Sequence, residues 1–228
     1  MRIAGLQKVS LIDYPERIAA TVFLAGCNLD CGYCHNRWML REAETPEALS
    51  ASALMDWLAG RVGLLDGVCL TGGEPTLHGE LADLLHAVKE LGFAVKLDTN
   101  GTRPATMRAL LDEGLLNYVA MDIKAPLNER YAAVAGVNVD LAGVRESMSL
   151  LRTEAPAFEF RTTVGPEVTE SDLFDMAALF RDGAPWVLQA HSLTPYVRDR
   201  RPATDLARLE ELAAQLVATA PGARLRGA

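Results

Sequence analysis

Residues 67–124 contain three short runs, Gly67-Val68-Cys69-Leu70-Thr71, Ala94-Val95-Lys96-Leu97-Asp98-Thr99 and Tyr118-Val119-Ala120-Met121-Asp122-Ile123-Lys124. Each is apolar, rich in strand-forming residues and too short for a helix, and the spacers between them have helical periodicity. The same unit recurs outward. Strands are predicted at Ile18–Ala25 upstream and at Phe158–Val164 and Trp186–Leu193 downstream. The intervening helices are predicted over Pro46–Leu65, Gly79–Leu91, Pro104–Glu113, Leu141–Thr153, Glu170–Phe180 and Thr204–Thr219. Boundary chemistry agrees: Thr45-Pro46 and Thr102–Pro104 read as helix starts, and Gly92 and Gly114 stand where helices end. Six β-then-α units with nearly continuous apolar strands imply parallel pairing through right-handed crossovers. Periodicity leaves two architectures, a doubly wound sheet or an incomplete barrel.

Composition fits one domain over residues 1–228. Half of the chain is hydrophobic, and 30 acidic against 22 basic side chains give a net formal charge of −8. Residues 1–17, closing on Asp13-Tyr14-Pro15-Glu16, read as a lead-in segment, and Pro221–Ala228 as a frayed end. An acidic chain offers no surface for nucleic-acid phosphates. Arg198, Arg200 and Arg201 alternate with Asp199 and stop at Pro202, the pattern of a solvated loop. The longest apolar stretch, around Ile18–Cys27, is far short of the roughly 20 residues that cross a bilayer. No nucleic-acid or membrane partner is expected, and the expected location is cytoplasmic.

The residues that break the apolar pattern fall at one place. Gly72–Pro75, Asp98–Gly101, Asp122–Lys124, Arg161 and His191 all lie in or beyond the C-terminal halves of predicted strands, the edge where parallel α/β folds carry their ligands. The first strand ends there too, in a loop with Cys27, Cys31 and Cys34. Three of four cysteines inside eight residues do not suit a disulfide framework, and crowded thiols suggest metal. A tetrahedral zinc site needs a fourth ligand, and His35, adjacent to Cys34, is awkwardly placed to chelate the same ion. Three thiolates instead suit a [4Fe–4S] cluster in which one iron keeps no protein ligand. Cys69, inside an apolar run, reads as a core residue.

Cys27-x3-Cys31-x-Tyr33-Cys34 followed by Thr71-Gly72-Gly73-Glu74-Pro75 resembles the radical S-adenosylmethionine superfamily. More narrowly, Gly5-Leu6-Gln7, Ser10–Pro15, Tyr33-Cys34-His35-Asn36, Leu97–Gly101 and Met121–Pro126 resemble the activating proteins of anaerobic ribonucleoside-triphosphate reductases, as far as about residue 170. With the six βα units, the resemblance implies an incomplete (β/α)6 barrel. It further implies that S-adenosylmethionine binds the open iron, is cleaved reductively to a 5′-deoxyadenosyl radical, and thereby installs a glycyl radical on a partner enzyme. A low-potential electron donor such as flavodoxin or ferredoxin is implied as a second partner.

By the same resemblance Cys27, Cys31 and Cys34 hold the cluster, Tyr33 accompanies them, and Gly72, Gly73 and Glu74 contact the methionine moiety. Glycine there would let the backbone approach the ligand, and Glu74 would face its ammonium. Asp98, Thr99, Asn100, Asp122 and Lys124 are cofactor-binding candidates. Two carboxylates that close need a cation or proton between them, and related pyruvate formate-lyase activating enzymes imply a monovalent cation near Asp98 and Asp122. Arg161, in an apolar strand, needs an anion: the ligand, or an ion pair with Glu159 or Asp122. His35 and His191 are further candidates for the nucleotide, because Val197 stands where the formate-lyase activators end their Leu-Pro-Tyr-His in histidine. Two other functions stay open: the same chemistry on a different protein or small molecule, and a non-catalytic zinc or electron-transfer module.

Overall fold

A computed structural model describes residues 1–202 and 205–226. It contains an eight-stranded sheet whose spatial order is the sequence order. The strands are β1 (Ile3–Ser10), β2 (Ala19–Leu24), β3 (Gly67–Gly72), β4 (Ala94–Thr99), β5 (Tyr118–Asp122), β6 (Phe158–Val164), β7 (Trp186–Ala190) and β8 (Ala223–Arg226). From β2 onward every neighbouring pair is parallel, whereas β1 runs antiparallel to β2. A doubly wound sheet reverses its strand order midway. Here the order never reverses, so successive right-handed crossovers stack their helices on one face and leave the other face to line an interior. The chain is an incomplete (β/α)6 barrel, open between β1 and β8.

Six helices fill the crossovers near their predicted places: α1 (Ala51–Ala59), α2 (Leu81–Glu90), α3 (Pro104–Asp112), α5 (Leu141–Glu154), α6 (Glu170–Ala177) and α7 (Leu206–Leu216). A short α4 (Arg130–Ala135) precedes α5. Strand residues alternate accordingly. Val68, Leu70, Val95, Leu97, Val119 and Met121 join the helix leucines in the main core, each such burial contributing about 1.5–3 kcal/mol. Cys69, Lys96, Asp98, Asp122 and Arg161 occupy the alternate positions of β3 to β6. Trp186 at the start of β7 is fully buried, its indole N–H donating to Thr162 Oγ1 (2.9 Å).

The structure corrects three sequence expectations. The helix predicted from Pro46 starts at Ala51, because Ser50, not Thr45, accepts the N-terminal amide, from Ala53 (3.2 Å). Thr45 instead closes a 3-10 turn, donating to Arg41 O (2.8 Å). The lead-in segment contains β1, and its tail turns under the barrel: Tyr14 is buried against Tyr118 (6.1 Å between ring centroids) and Gly67, at the N-terminal ends of β5 and β3. Ser10–Pro15 therefore lies opposite the edge carrying the cysteines. The supposed frayed end carries β8, paired with β7; residues 227–228, and Thr204 at the predicted start of the last helix, lie outside the described residues.

β8 is held because Glu159, fully buried on β6, needs cations. Arg226 grips both its oxygens (2.7 and 2.6 Å) and Arg224 adds a third bond (3.2 Å). Breaking a buried pair by deleting one partner costs about 3–5 kcal/mol. Arg226→Ala should therefore lower stability by about 2–3 kcal/mol, Arg224 offsetting part of the loss, and Glu159→Gln in the same chain should recover some of it. Urea unfolding of the three variants checks this; an unchanged Arg226→Ala midpoint would contradict the role given to β8.

Candidate active site

One pocket opens at the C-terminal ends of the strands, and thirteen of the sequence-predicted site residues line it: Cys27, Cys31, Tyr33 and Cys34 from the loop after β2, Gly72, Gly73 and Glu74 at the end of β3, Asp98, Thr99 and Asn100 at the end of β4, Asp122 and Lys124 at the end of β5, and Arg161 from β6, whereas His191 is not part of this lining. Thr71, Thr163, Leu29 and Leu40, which sequence reading did not single out, complete the wall with His35 and Asn36.

The cysteine loop is fastened on three sides. Gly26 N–H and Cys27 N–H donate to Met39 O (2.8 Å) and Leu40 O (2.9 Å). Asp30 N–H donates to Ala135 O (2.9 Å) at the end of α4. There Gly136 takes φ +74° so close to the Asp30 backbone that a Cβ would overlap its carbonyl. Asn28 joins the loop to β4, donating to Thr102 Oγ1 (2.8 Å) and accepting from Asn100 Nδ2 (2.9 Å). Burial raises all three thiol pKa values, that of Cys27 to about 12. Such thiols stay protonated at neutral pH unless a metal centre displaces their protons. Cys69 is fully buried on β3, outside the pocket lining, with Lys96 Nζ 3.7 Å from its sulfur, in keeping with a core role.

The two glycines at the end of β3 make room for the neighbouring chain. Gly72 has φ +114°, and a Cβ there would lie 2.5 Å from Leu24 O; one on Gly73 would overlap Gly26 O. The close approach is to the chain leaving β2, which Gly73 N–H and Glu74 N–H bond at Leu24 O (2.7 Å) and Gly26 O (2.8 Å). Glu74 is fully buried and largely engaged by its own chain. Its Oε1 accepts from Thr76 N–H (3.1 Å), the Thr76 hydroxyl (2.5 Å) and the Thr99 hydroxyl (2.7 Å), and its Oε2 from Asn100 N–H (2.6 Å). A carboxylate has about four acceptor sites, so what remains for a ligand is on Oε2.

Asp98 and Asp122 are neighbours, as expected, and the group between them is Arg161: Nη1 donates to Asp98 Oδ2 (3.0 Å) and Nε to Asp122 Oδ1 (2.9 Å). The place given to a monovalent cation is thus filled by a guanidinium, and Arg161 pairs with these two rather than with Glu159. Lys96 reaches Asp98 from below and Lys124 reaches Asp122 (2.9 Å) from beside it. Burial pushes both carboxyls up, but Arg161 and the lysines outweigh it and hold both low, Asp122 at about 2. Lys96 escaped sequence reading although it sits two residues before Asp98, the period that puts both on one strand face.

Tyr33 is buried with its ring against Gly165, Lys124 Nζ 5.9 Å from the ring centroid and its hydroxyl without a hydrogen-bond partner. His35 donates through Nε2 to Ser192 O (2.7 Å) and stacks on His191 (5.6 Å, 21°). His191 is buried after β7; burial and then His35 lower its pKa, and neither ring nitrogen has a partner. The donor set of three thiols, with cationic, acidic and unpartnered polar groups around one pocket, suits a metal centre plus a charged organic ligand.

Comparison with known proteins agrees with this geometry. The profile of the Radical SAM superfamily matches residues 21–180. A Methanocaldococcus jannaschii protein provisionally named a glycyl-radical enzyme activating enzyme is 32% identical over 194 residues, 82% of this chain and 78% of that one. The pyruvate formate-lyase-activating enzyme of Clostridium pasteurianum is 33% identical over 140 residues, 59% of this chain and 57% of that one. Among solved structures, Streptococcus suis SuiB shares the fold, with a TM-score of 0.70 at 17% identity over 91% of this chain, which spans 48% of SuiB.

Asp122 has a pH signature. A carboxyl whose pKa is lower folded than unfolded stabilises the fold above its unfolded pKa, near 3.8, and that contribution is lost as pH falls through about 2. The shift corresponds to on the order of 2 kcal/mol. The stability gap between the unmodified chain and Asp122→Asn should narrow by that amount from pH 5 to pH 2 in urea titrations; parallel curves would contradict the ion network.

Proposed function

The chain belongs to the radical SAM superfamily, and from that premise we propose that it activates a glycyl-radical enzyme, specifically an anaerobic ribonucleoside-triphosphate reductase. The observation that carries the chemistry is the meeting of three thiols, one buried and two half-buried, and the Asp98–Arg161–Asp122 bridge on the walls of one pocket. The partner class is supported by the Methanocaldococcus relative. The reductase itself is supported by the resemblance of Ser10–Pro15, Leu97–Gly101 and Met121–Pro126.

In this reading Cys27, Cys31 and Cys34 hold a [4Fe–4S] cluster. A cluster held there would supply the electron for reductive cleavage of S-adenosylmethionine, the chemistry that in this reading ends in hydrogen removal from the partner's glycine. The protein's own part is positioning. Gly72 and Gly73 let the strand end pass close under the cysteine loop, and Glu74 locks β3 to β4, its Oε2 keeping acceptor capacity that would suit an ammonium. Lys124 is fixed by Asp122 beside Tyr33, where its charge suits a carboxylate. Arg161 keeps Asp98 and Asp122 ionised and fixed, and Thr99 and Asn100 complete that wall. The unpartnered His191 ring and Tyr33 hydroxyl offer polar contacts to a nucleoside.

Anaerobic reconstitution should give four irons and four sulfides per chain. Alanine at Cys27, Cys31 or Cys34 should reduce S-adenosylmethionine cleavage by more than the ~10–100-fold typical of changes outside the ligand shell, while Cys69→Ser keeps the cluster and loses stability only. A glycyl-radical spin signal on an added anaerobic ribonucleotide reductase checks the partner. Deoxyadenosine without that signal would point to another protein or a small molecule, and one zinc without sulfide would end the enzymatic reading.

A further inference from the structure

The outer face of the cysteine loop carries a surface that the pocket does not use. Trp38, four residues beyond Cys34, is 41% exposed and its ring lies 6.3 Å from that of Tyr196, itself 52% exposed; Leu193, on the same segment as Tyr196, is 47% exposed. Four arginines frame these side chains. Arg37 and Arg198 share one carboxylate, Asp30 (2.6 and 2.8 Å). Arg41 pairs with Glu44 (3.1 Å), both on the surface. Arg200 bonds backbone, at Thr194 O (3.0 Å) and Pro195 O (2.8 Å). Four cations thus face two carboxylates, a local positive excess on a chain of net charge −8. The neighbouring Asp199 and Glu167 turn inward behind Arg201, which is 58% exposed and meets both.

This surface adjoins the cysteine loop. The groove lined by Arg37, Trp38 and Arg41 also has Cys27, Asn28, Leu29 and Asp30 in its wall. Residues 192–201 bind the same loop from outside: His35 donates to Ser192 O, Arg198 reaches Asp30, and the N–H groups of Arg198 and Asp199 both donate to Gly32 O (3.1 and 3.0 Å). Exposed aromatics ringed by arginine are the composition of a protein-binding patch.

We propose that the surface of Trp38, Leu193 and Tyr196, with Arg37, Arg41, Arg198 and Arg200, docks an acidic one-electron carrier protein and is where the electron enters. The inference rests on the cluster reading above: each cleavage consumes one electron, so a reduced carrier must give up one as the cluster gains one. The interior pocket cannot admit a folded protein, whereas the groove on this face has Cys27, one of the three thiols, in its wall. Charge selects the carrier, since a positive patch on an otherwise acidic protein both steers an acidic partner and fixes its orientation.

The test uses the reconstituted holoenzyme with flavodoxin as probe. Arg41→Glu, and Arg41→Glu with Arg200→Glu, should weaken the binding of oxidised flavodoxin in calorimetric titration, the double variant by about tenfold or more at low salt. Both should slow one-electron transfer from reduced flavodoxin in stopped flow and leave dithionite-driven S-adenosylmethionine cleavage unchanged. Trp38→Ala should weaken binding with no change in its salt dependence, and Arg181→Glu, at the turn before β7, should do nothing. Equal binding by all variants would overturn the proposal, as would loss of reductase activation under dithionite with flavodoxin binding intact, which would assign the patch to the glycyl-radical partner. If dithionite drives no cleavage even in the unmodified holoenzyme, the enzymatic reading fails, and the binding titration still decides the docking surface.

Discussion

The interior of this barrel is organised by a guanidinium between two carboxylates. β4, β5 and β6 each turn charged side chains toward a space lined by other strands, where an unpaired charge would be severely penalised. Arg161 resolves this by bonding Asp98 and Asp122 at once, and Lys96 and Lys124 extend the chain of alternating charges at either end. Because Arg161 on β6 bonds both Asp98 on β4 and Asp122 on β5, the network fixes how the three strand ends sit relative to one another. A well-satisfied buried network specifies geometry more than it adds stability, and geometry is what a pocket needs. The same arrangement presents Lys124 and Arg161 to the pocket as immobile cations.

The cysteine loop depends on that frame from outside. It has no regular structure of its own, so its shape is imposed by groups it meets: the carbonyls of Met39 and Leu40, the end of α4, the Asn28–Asn100 pair and the segment from Ser192 to Asp199. Gly136 and Gly73 mark the two places where backbone meets backbone without room for a side chain. Three thiols with raised pKa values give up their protons only in exchange for a metal.

Much of this was legible in the chain itself. The six parallel strands followed from apolar runs of fixed length, and the site residues from the rule that chemistry collects at strand C-termini; all thirteen line one pocket. What stayed hidden needed tertiary partners to define it. β8 is four residues with two arginines, unremarkable until the buried Glu159 on β6 is seen to require them. β1 is half exposed and pairs antiparallel, so it lacks the continuous apolar signature of its neighbours. α4 is too short for periodicity to register. The close approach of Gly72 and Gly73 to the chain leaving β2 could not be read from sequence, because it depends on where the cysteine loop folds back. The bridging of Asp98 and Asp122 by Arg161 likewise needed the register of β4, β5 and β6 to be seen.

The turn beneath the barrel has its own consequence. Tyr14 packs against Tyr118 and Gly67 at the N-terminal end, and Glu159 with its arginines occupies the same region, so that end is stoppered by aromatic and ionic bulk. A ligand of the pocket therefore has no passage through the base of the barrel, and its traffic is confined to the rim at the strand C-termini and to the gap between β1 and β8.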